Sequence, residues 1–444
     1  MNVSFLEISL ALIISITAIV LLTRFLNLHA FFSLLIASFL FGLIAGKSFT
    51  DILSSMQAGF GSLLQQIGFL VAIGSCLGIM LEKTGAMEVI SQRIIDLFGA
   101  KHSILAMTVI GVIVGIPVFC DSGFIILSRL IPSIASQAAV NPAQLSLALS
   151  SGLYTTHTLV PPTPGPLAAA ANLNISENVS SVILIGIVSS IPVAFVSYLF
   201  AKRIGKNISV EVTQTKKKTE RVISGWKAFL PLVLPIILIA SASLPKIMNE
   251  SNPLTALLQI VGQPVVALLI GLLLSFLLIT RDQFGQWPLW LSDALKDAGI
   301  ILLITGAGGA FGGVIKTSGI DLLLKDYITQ SETQGVVFLV IGFIIAAILK
   351  TAQGSTTSSL IITSSLLAPL ALSAGFTSAT QLSILIIAIG GGAMTVSHAN
   401  DSYFWVVSQF SGISPRDAFR SFTLLTFIQG FTALITSIIL FLIL

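Results

Sequence analysis

KTAQGSTTSS, residues 350–359, stands between two apolar runs, FLVIGFIIAAIL (338–349) and LIITSSLLAPLAL (360–372), and its reading decides the fold. A lysine, a glutamine, a glycine and a row of hydroxyls interrupt what is otherwise membrane-like sequence. In a soluble protein the flanking runs would need a charged surface elsewhere to cover them. There is none: of 444 residues 55% are hydrophobic and only 9% charged, where soluble domains carry about 25%. Mean hydropathy is +1.01. A soluble enzyme is excluded on that ground. Apolar runs of roughly 18–22 residues recur along the chain, the length a helix needs to cross a bilayer. The expected fold class is an all-α polytopic membrane protein, with 350–359 as the polar tip of a hairpin.

Three further stretches place Gly, Pro and polar residues inside apolar runs: GIPVFCDSGF (115–124), THTLVPPTPGP (156–166) and VSHANDSYF (396–404). Proline removes a backbone donor and glycine weakens a helix, so each run should unwind there. Unwound backbone at membrane depth survives only inside protein or beside a water-filled cavity. Such breaks at matching points of two halves are a sequence pointer to a transporter's binding site.

The halves meet at KRIGKNISVEVTQTKKKTERVISGWK. The expected organisation is a first transmembrane repeat over 1–201, a basic cytoplasmic linker over 202–227, and a second, inverted repeat over 228–444. Each half runs in the same order: three long apolar spans, a short amphipathic arm, a re-entrant hairpin, an interrupted span and a last span. That makes about ten spans plus two hairpins, or 12–14 if the hairpins cross fully. Residues 78–94 align with 312–328, and Gly74 and Gly78 then match Gly308 and Gly312, spaced for close helix packing. AQLSLALSSG, from Ala143, aligns with TQLSILIIAI, from Thr380. Five spans per half invert the second relative to the first. With the linker in the cytoplasm and both termini outside, sixteen Lys and Arg fall inside and Lys47, Lys246, Lys316 and Lys325 outside, Arg129 and Lys350 in the hairpins being left uncounted.

The breaks supply the candidate chemistry. Asp121 is the only acid between Asp96 and Glu177, and Asp401 lies among Ser397, His398, Asn400 and Ser402. An ionisable residue at membrane depth reads as functional, here as a carrier of a coupling ion, unless the tip simply reaches headgroup water. His157 and His398 match in the two halves and could relay protons; a neutral, structural histidine is the alternative. Lys350 is the candidate partner for a substrate carboxylate, and Arg129 sits near the other tip. Ser122, Gly123, Thr156, His157, Thr163, Gln353, Gly354, Ser355, Thr356 and Asn400 are the candidate contacts to substrate. Half-helix N-termini there would offer free N–H groups and positive dipole ends to an anion. The hydroxyls could equally satisfy carbonyls of their own helices.

Other classes fall away. The net charge of +4 comes from loop residues, where cytoplasmic retention rather than nucleic acid accounts for it. Cys76 and Cys120 lie in apolar segments, and two histidines alone make no metal site, so no disulfide, metal or cofactor is expected. GAGGAFGG (306–313) lacks the dinucleotide spacing, and no Walker A, H-E-x-x-H or G-x-S-x-G motif occurs. The N-terminal run MNVSFLEISLALIISITAIVLL lacks a basic n-region and reads as a retained first span.

The segments GIPVFCDSGFIIL, THTLVPPTPGPLAAA, TGAGGAFGGVIKTSG, KTAQGSTTSSLI and SHANDSYFWVVSQF together resemble the gluconate permease family of carboxylate:proton symporters, within the ion transporter superfamily. The resemblance spans both halves. It implies uptake of gluconate or a related sugar acid through a bacterial-type cell membrane, driven by protons. It also implies a homodimer in which a transport domain moves against a scaffold. By position, Asp121, His157, Gln353, Gly354, Ser355, His398, Asn400 and Asp401 fall in the matching motifs. Glycerate, other aldonates and D-serine remain open as substrates. Sodium coupling and a passive channel are the rival readings.

Overall fold

The computed structural model describes residues 5–26, 28–208, 210, 225–241, 253–318, 332–398 and 401–444. Most of the linker, the second half's amphipathic arm, Lys246, Lys325 and Asn400 lie outside the described residues. Among those described the chain is helical, and the one β contact is an isolated bridge between Val210 and Ile413.

The first half comprises α1 (Phe5–Arg24), α2 (Ala30–Ile44), α3 (Phe49–Thr84), α4 (Ala86–Phe98), α5 (Ser103–Val114), α6 (Cys120–Leu127), α7 (Ile131–Ala138), α8 (Pro142–Leu159), α9 (Pro164–Asn172) and α10 (Val179–Ile204). The second comprises α11 (Gly225–Ser241), α12 (Pro253–Val261), α13 (Pro264–Ser275), α14 (Trp287–Thr317), α15 (Glu332–Gln353), α16 (Thr356–Ala371), α17 (Ala379–Met394), α18 (Ser402–Ser411) and α19 (Pro415–Ile443). The four interrupted stretches are where helices stop and restart, between α5 and α6, α8 and α9, α15 and α16, and α17 and α18. Matching helices also start alike. Asn141 and Gln144 form a reciprocal capping box at the start of α8, and Ser378 and Gln381 form one at the start of α17.

Burial departs from the soluble pattern at the surface, which, like the core, is apolar. Every residue of α9, and of α8 from Ala143 to Leu159, is buried, including Ser146, Ser150, Ser151, Thr155 and Thr158. On α10, by contrast, Leu184, Val188, Ile191, Phe195 and Leu199 form an exposed apolar stripe at helical spacing. Leu424, Phe427, Phe431, Ile435 and Ile439 do the same on α19. Exposed apolar stripes outside an interior that is mainly apolar but admits many small hydroxyl side chains are what a lipid solvent selects.

By length and apolarity, three continuous helical stretches among the described residues can cross a membrane: Ser176–Asn207, Trp287–Thr317 and Pro415–Ile443. The bent pairs Phe49–Gln66 with Gly68–Thr84 (47°) and Ala86–Phe98 with Ala100–Val114 (107°) raise the number to five. Seven further apolar helices are shorter, among them α16 and α17, because each stops at a break. The protein is multi-pass.

Glycines let the buried helices close in. A Cβ added at Gly152 of α8 would lie 2.3 Å from the Thr108 carbonyl oxygen of α5, so the two backbones touch directly. The sequence-matched glycines meet hairpin elements: Gly78 abuts the Pro117 carbonyl, and Gly308 abuts Ile361 of α16.

Candidate functional site

The site begins with one buried ion pair. Lys350, in the last turn of α15, is 1% exposed, and its Nζ lies 2.5 Å from Oδ2 of Asp401, itself 4% exposed. Gly354 ends the helix with φ of +76°, a left-handed conformation that suits glycine, and its carbonyl accepts a second Lys350 bond at 2.8 Å. The Tyr154 ring centroid lies 5.9 Å from the ammonium. Asp401 is also the N-cap of α18: Oδ1 accepts from the Tyr403 N–H at 3.0 Å, while Ser397 Oγ donates to Oδ2. The break that carries Asp401 is held from outside by α19. There Thr426 Oγ1 accepts from the Ser397 N–H and Thr423 donates to the Ser397 carbonyl. Between these anchors and α17 sits Val396 at φ of +57°, a conformation β-branched residues avoid.

Three half-helix N-termini meet beside this pair. Cys120 and Asp121 open α6, Ser355 caps α16 by accepting from the Ser358 N–H, and Asp401 caps α18. Their first turns, with Phe119, Gly354, Thr357, Tyr154, His157 and Tyr403, line one cavity of about 280 Å³. That lies at the small end for ligand sites, which run to about 300–1,000 Å³. Tyr154 shares a hydrogen bond with Thr356 Oγ1 (2.7 Å), and Tyr403 donates to the Ser150 carbonyl (2.9 Å). The two rings lie 5.2 Å apart. Positive dipole ends, hydroxyls and a buried cation behind the wall suit a small hydroxylated anion.

Three larger cavities lack that convergence of helix starts. One of about 650 Å³, between α4, α5 and α11, is apolar apart from Arg93. Another of about 920 Å³, between α3, α14, α16 and the end of α9, carries hydroxyls and amides on a mostly apolar wall and opens beside the exposed Lys316 and Thr317. A third of about 520 Å³ lies between the start of α8 and residues 206–208 and 210.

Comparison with known proteins decides the class. The family model of GntP family permeases matches residues 7–443, almost the whole chain. The chain belongs to the GntP permease family. Among the relatives of this GntP-family chain is the inner membrane permease YgbN of Escherichia coli, 33% identical over 91% of this chain and 92% of that protein. A gluconate permease of Zymomonas mobilis is 31% identical over 95% of each. The crystal structure of the YdaH transporter of Alcanivorax borkumensis, at 15% identity, shares the fold with a TM-score of 0.62 over 88% of this chain and 87% of that one. As a GntP permease the protein is a transporter rather than an enzyme.

Of the residues singled out from sequence, Asp121, His157, Gly354, Ser355, Thr356 and Asp401 line the cavity. His157 is 7% exposed, its ring 5.7 Å from that of Phe119, and its Nδ1 makes no hydrogen bond. Lys350 stands behind the wall rather than in it. Thr156 and Thr163 lie off the cavity, their hydroxyls donating to the Val112 and Val160 carbonyls. Ser122 and Gly123 sit in the first turn of α6 outside the lining, and Gln353 closes α15. His398 lies in the α17–α18 break, also off the lining, where its carbonyl accepts from the Asp401 N–H. Sequence reasoning passed over Cys120, Phe119, Tyr154 and Tyr403. The tyrosines carried a usable signal: the chain has only four, and two of them sit within apolar runs next to the breaks.

Proposed function

We propose that this permease imports gluconate or a related sugar or hydroxy acid by proton symport. The observation that carries the reading is the convergence of the three N-termini on one small cavity whose walls are hydroxyls, carboxylates and aromatic rings. The N–H groups and dipoles attract a carboxylate. Ser355, Thr356, Thr357 and the tyrosine hydroxyls match a polyol chain. Asp121, half-buried in the same wall, and Asp401 are the groups that carry the coupling proton. Relatives named gluconate permeases support the substrate class.

The halves are inverted in this reading, with residues 202–227 cytoplasmic and both termini outside. Contacts between segments assigned to one side support it. Lys47 bonds the Thr317 carbonyl on the outer side, and on the inner side Gln283 donates to the Lys83 carbonyl and Asn141 to that of Lys206.

The test is uptake of labelled gluconate into proteoliposomes under an imposed pH gradient, with external Na⁺ replaced by K⁺ and competition by glycerate, other aldonates and D-serine. Uptake that survives the replacement and is competed by hydroxy acids is expected. Uptake that disappears without Na⁺ would replace the proton in this account.

A further inference from the structure

We propose that Asp401 is a tethered stand-in for the substrate's carboxylate. It holds Lys350 while the site is empty, and the incoming carboxylate takes its place only as Asp401 takes up a proton. This rests on the carrier reading above and names the group and the charge balance through which coupling occurs.

The geometry requires the exchange. Lys350 is the only fully buried cation among the described residues, and it does not line the cavity. Its contacts among the described residues, the Asp401 carboxylate, the Gly354 carbonyl and the Tyr154 ring, all belong to residues that do. An acid entering the cavity therefore meets Asp401 before it can reach the ammonium. Two carboxylates cannot share that one cation while both stay charged, because a buried carboxylate without a counter-ion takes a proton. The Asp401 carboxyl, once protonated, still accepts the Tyr403 N–H and keeps α18 capped.

The balance is simple. Before binding, the pair is ammonium and carboxylate; after it, ammonium faces the substrate's carboxylate and Asp401 is neutral. The proton enters from outer water through the cavity and joins a carboxylate oxygen of Asp401. It leaves to inner water when the substrate departs and the Lys350–Asp401 contact closes again. The other titratable groups around Asp401 are Cys120 and Asp121 on α6, Tyr154 and His157 on α8, Tyr403 on α18, and His398 in its own break. Asp121, on the same cavity wall, passes the proton between water and Asp401 and returns to its starting state, so that none of these groups has changed charge once the exchange is complete. One proton moves with each monocarboxylate, and no net charge crosses the membrane.

Two measurements test this. In proteoliposomes, one pH unit with the potential clamped at zero should accumulate labelled gluconate up to about tenfold. A potassium diffusion potential at equal pH should give no accumulation. Potential-driven accumulation in wild type overturns the proposal. In infrared difference spectra, adding gluconate to purified wild-type protein should bring up the band of a protonated carboxyl group. Asp401→Asn, which retains an N-cap acceptor, should lack it. No such band in wild type, or a band that persists in the variant, overturns the proposal. Should Asp401→Asn not fold, Asp401→Glu, which keeps a carboxyl, should shift the frequency of the protonated band; a band left unmoved overturns the proposal. Wild type that exchanges glycerate but not gluconate would correct the substrate and leave the exchange to be judged with glycerate. Folded wild type that exchanges neither overturns the carrier reading and this inference together.

Discussion

Replacing Lys350 by Met removes the cation from a pair of which one member is 1% and the other 4% exposed. Breaking a buried pair from one side costs about 3–5 kcal/mol, because the remaining charge is left uncompensated. Here Asp401 keeps the Ser397 hydroxyl and the Tyr403 N–H, so the lower end, about 3 kcal/mol, applies. Asp401→Asn leaves the ammonium with the Gly354 carbonyl and costs a similar amount. The double variant removes both charges and retains the cap, and exchanging a buried pair for neutral groups is often close to neutral. For a chain this long, 1 kcal/mol moves Tm by at most about 2 °C, so each single variant should lose about 6 °C or less. The double should recover most of that. Thermal unfolding of the four detergent-purified proteins completes the cycle. A Lys350→Met protein as stable as wild type, or a double variant no more stable than the worse single one, would refute the pairing as drawn.

Three further outcomes follow from the same contacts. Asp121→Asn should fold as wild type and lose gradient-driven accumulation in proteoliposomes; undiminished accumulation would remove Asp121 from the coupling route. Gly152→Ala would set a Cβ against the Thr108 carbonyl, and overpacking of that kind costs about 1–3 kcal/mol. Lower Tm and broadened size-exclusion peaks are the readout, and an unchanged protein would mean that α5 and α8 do not meet there. Tyr403→Phe keeps the ring against Tyr154 but removes the hydroxyl's bond to the Ser150 carbonyl, a loss of about 0.5–1.5 kcal/mol visible as a small fall in Tm.

Much of the architecture was legible because membrane physics leaves few choices. Low charge and long apolar runs required helices, and Gly, Pro and polar clusters marked all four breaks. The alignment of Ala143 with Thr380 brought with it two capping boxes, although only the apolar pattern around them had drawn attention. The site was legible as a list of break residues but not as an arrangement. Asp121 and Asp401 each stood out as isolated charges. Nothing in their spacing said that Lys350, fifty-one residues before Asp401, would be the latter's partner. Two lone opposite charges in apolar sequence have a physical reason to pair, and that argument would have joined them. Thr156 and Thr163 show the opposite error. Their hydroxyls satisfy backbone carbonyls, and only packing separates that use of threonine from contact with a ligand. Tyr154 and Tyr403 read as ordinary apolar-run aromatics until the folded chain set their rings on the cavity wall.

Counterflow tests the central claim most directly. Purified protein is reconstituted in liposomes preloaded with unlabelled gluconate, and entry of trace labelled gluconate is followed with no ion gradient imposed. The account predicts a transient accumulation of label, suppressed by external hydroxy acids and lost in the Lys350→Met variant. Label that only equilibrates, without overshoot, in demonstrably folded protein would contradict a carrier that binds this acid at the Lys350–Asp401 site.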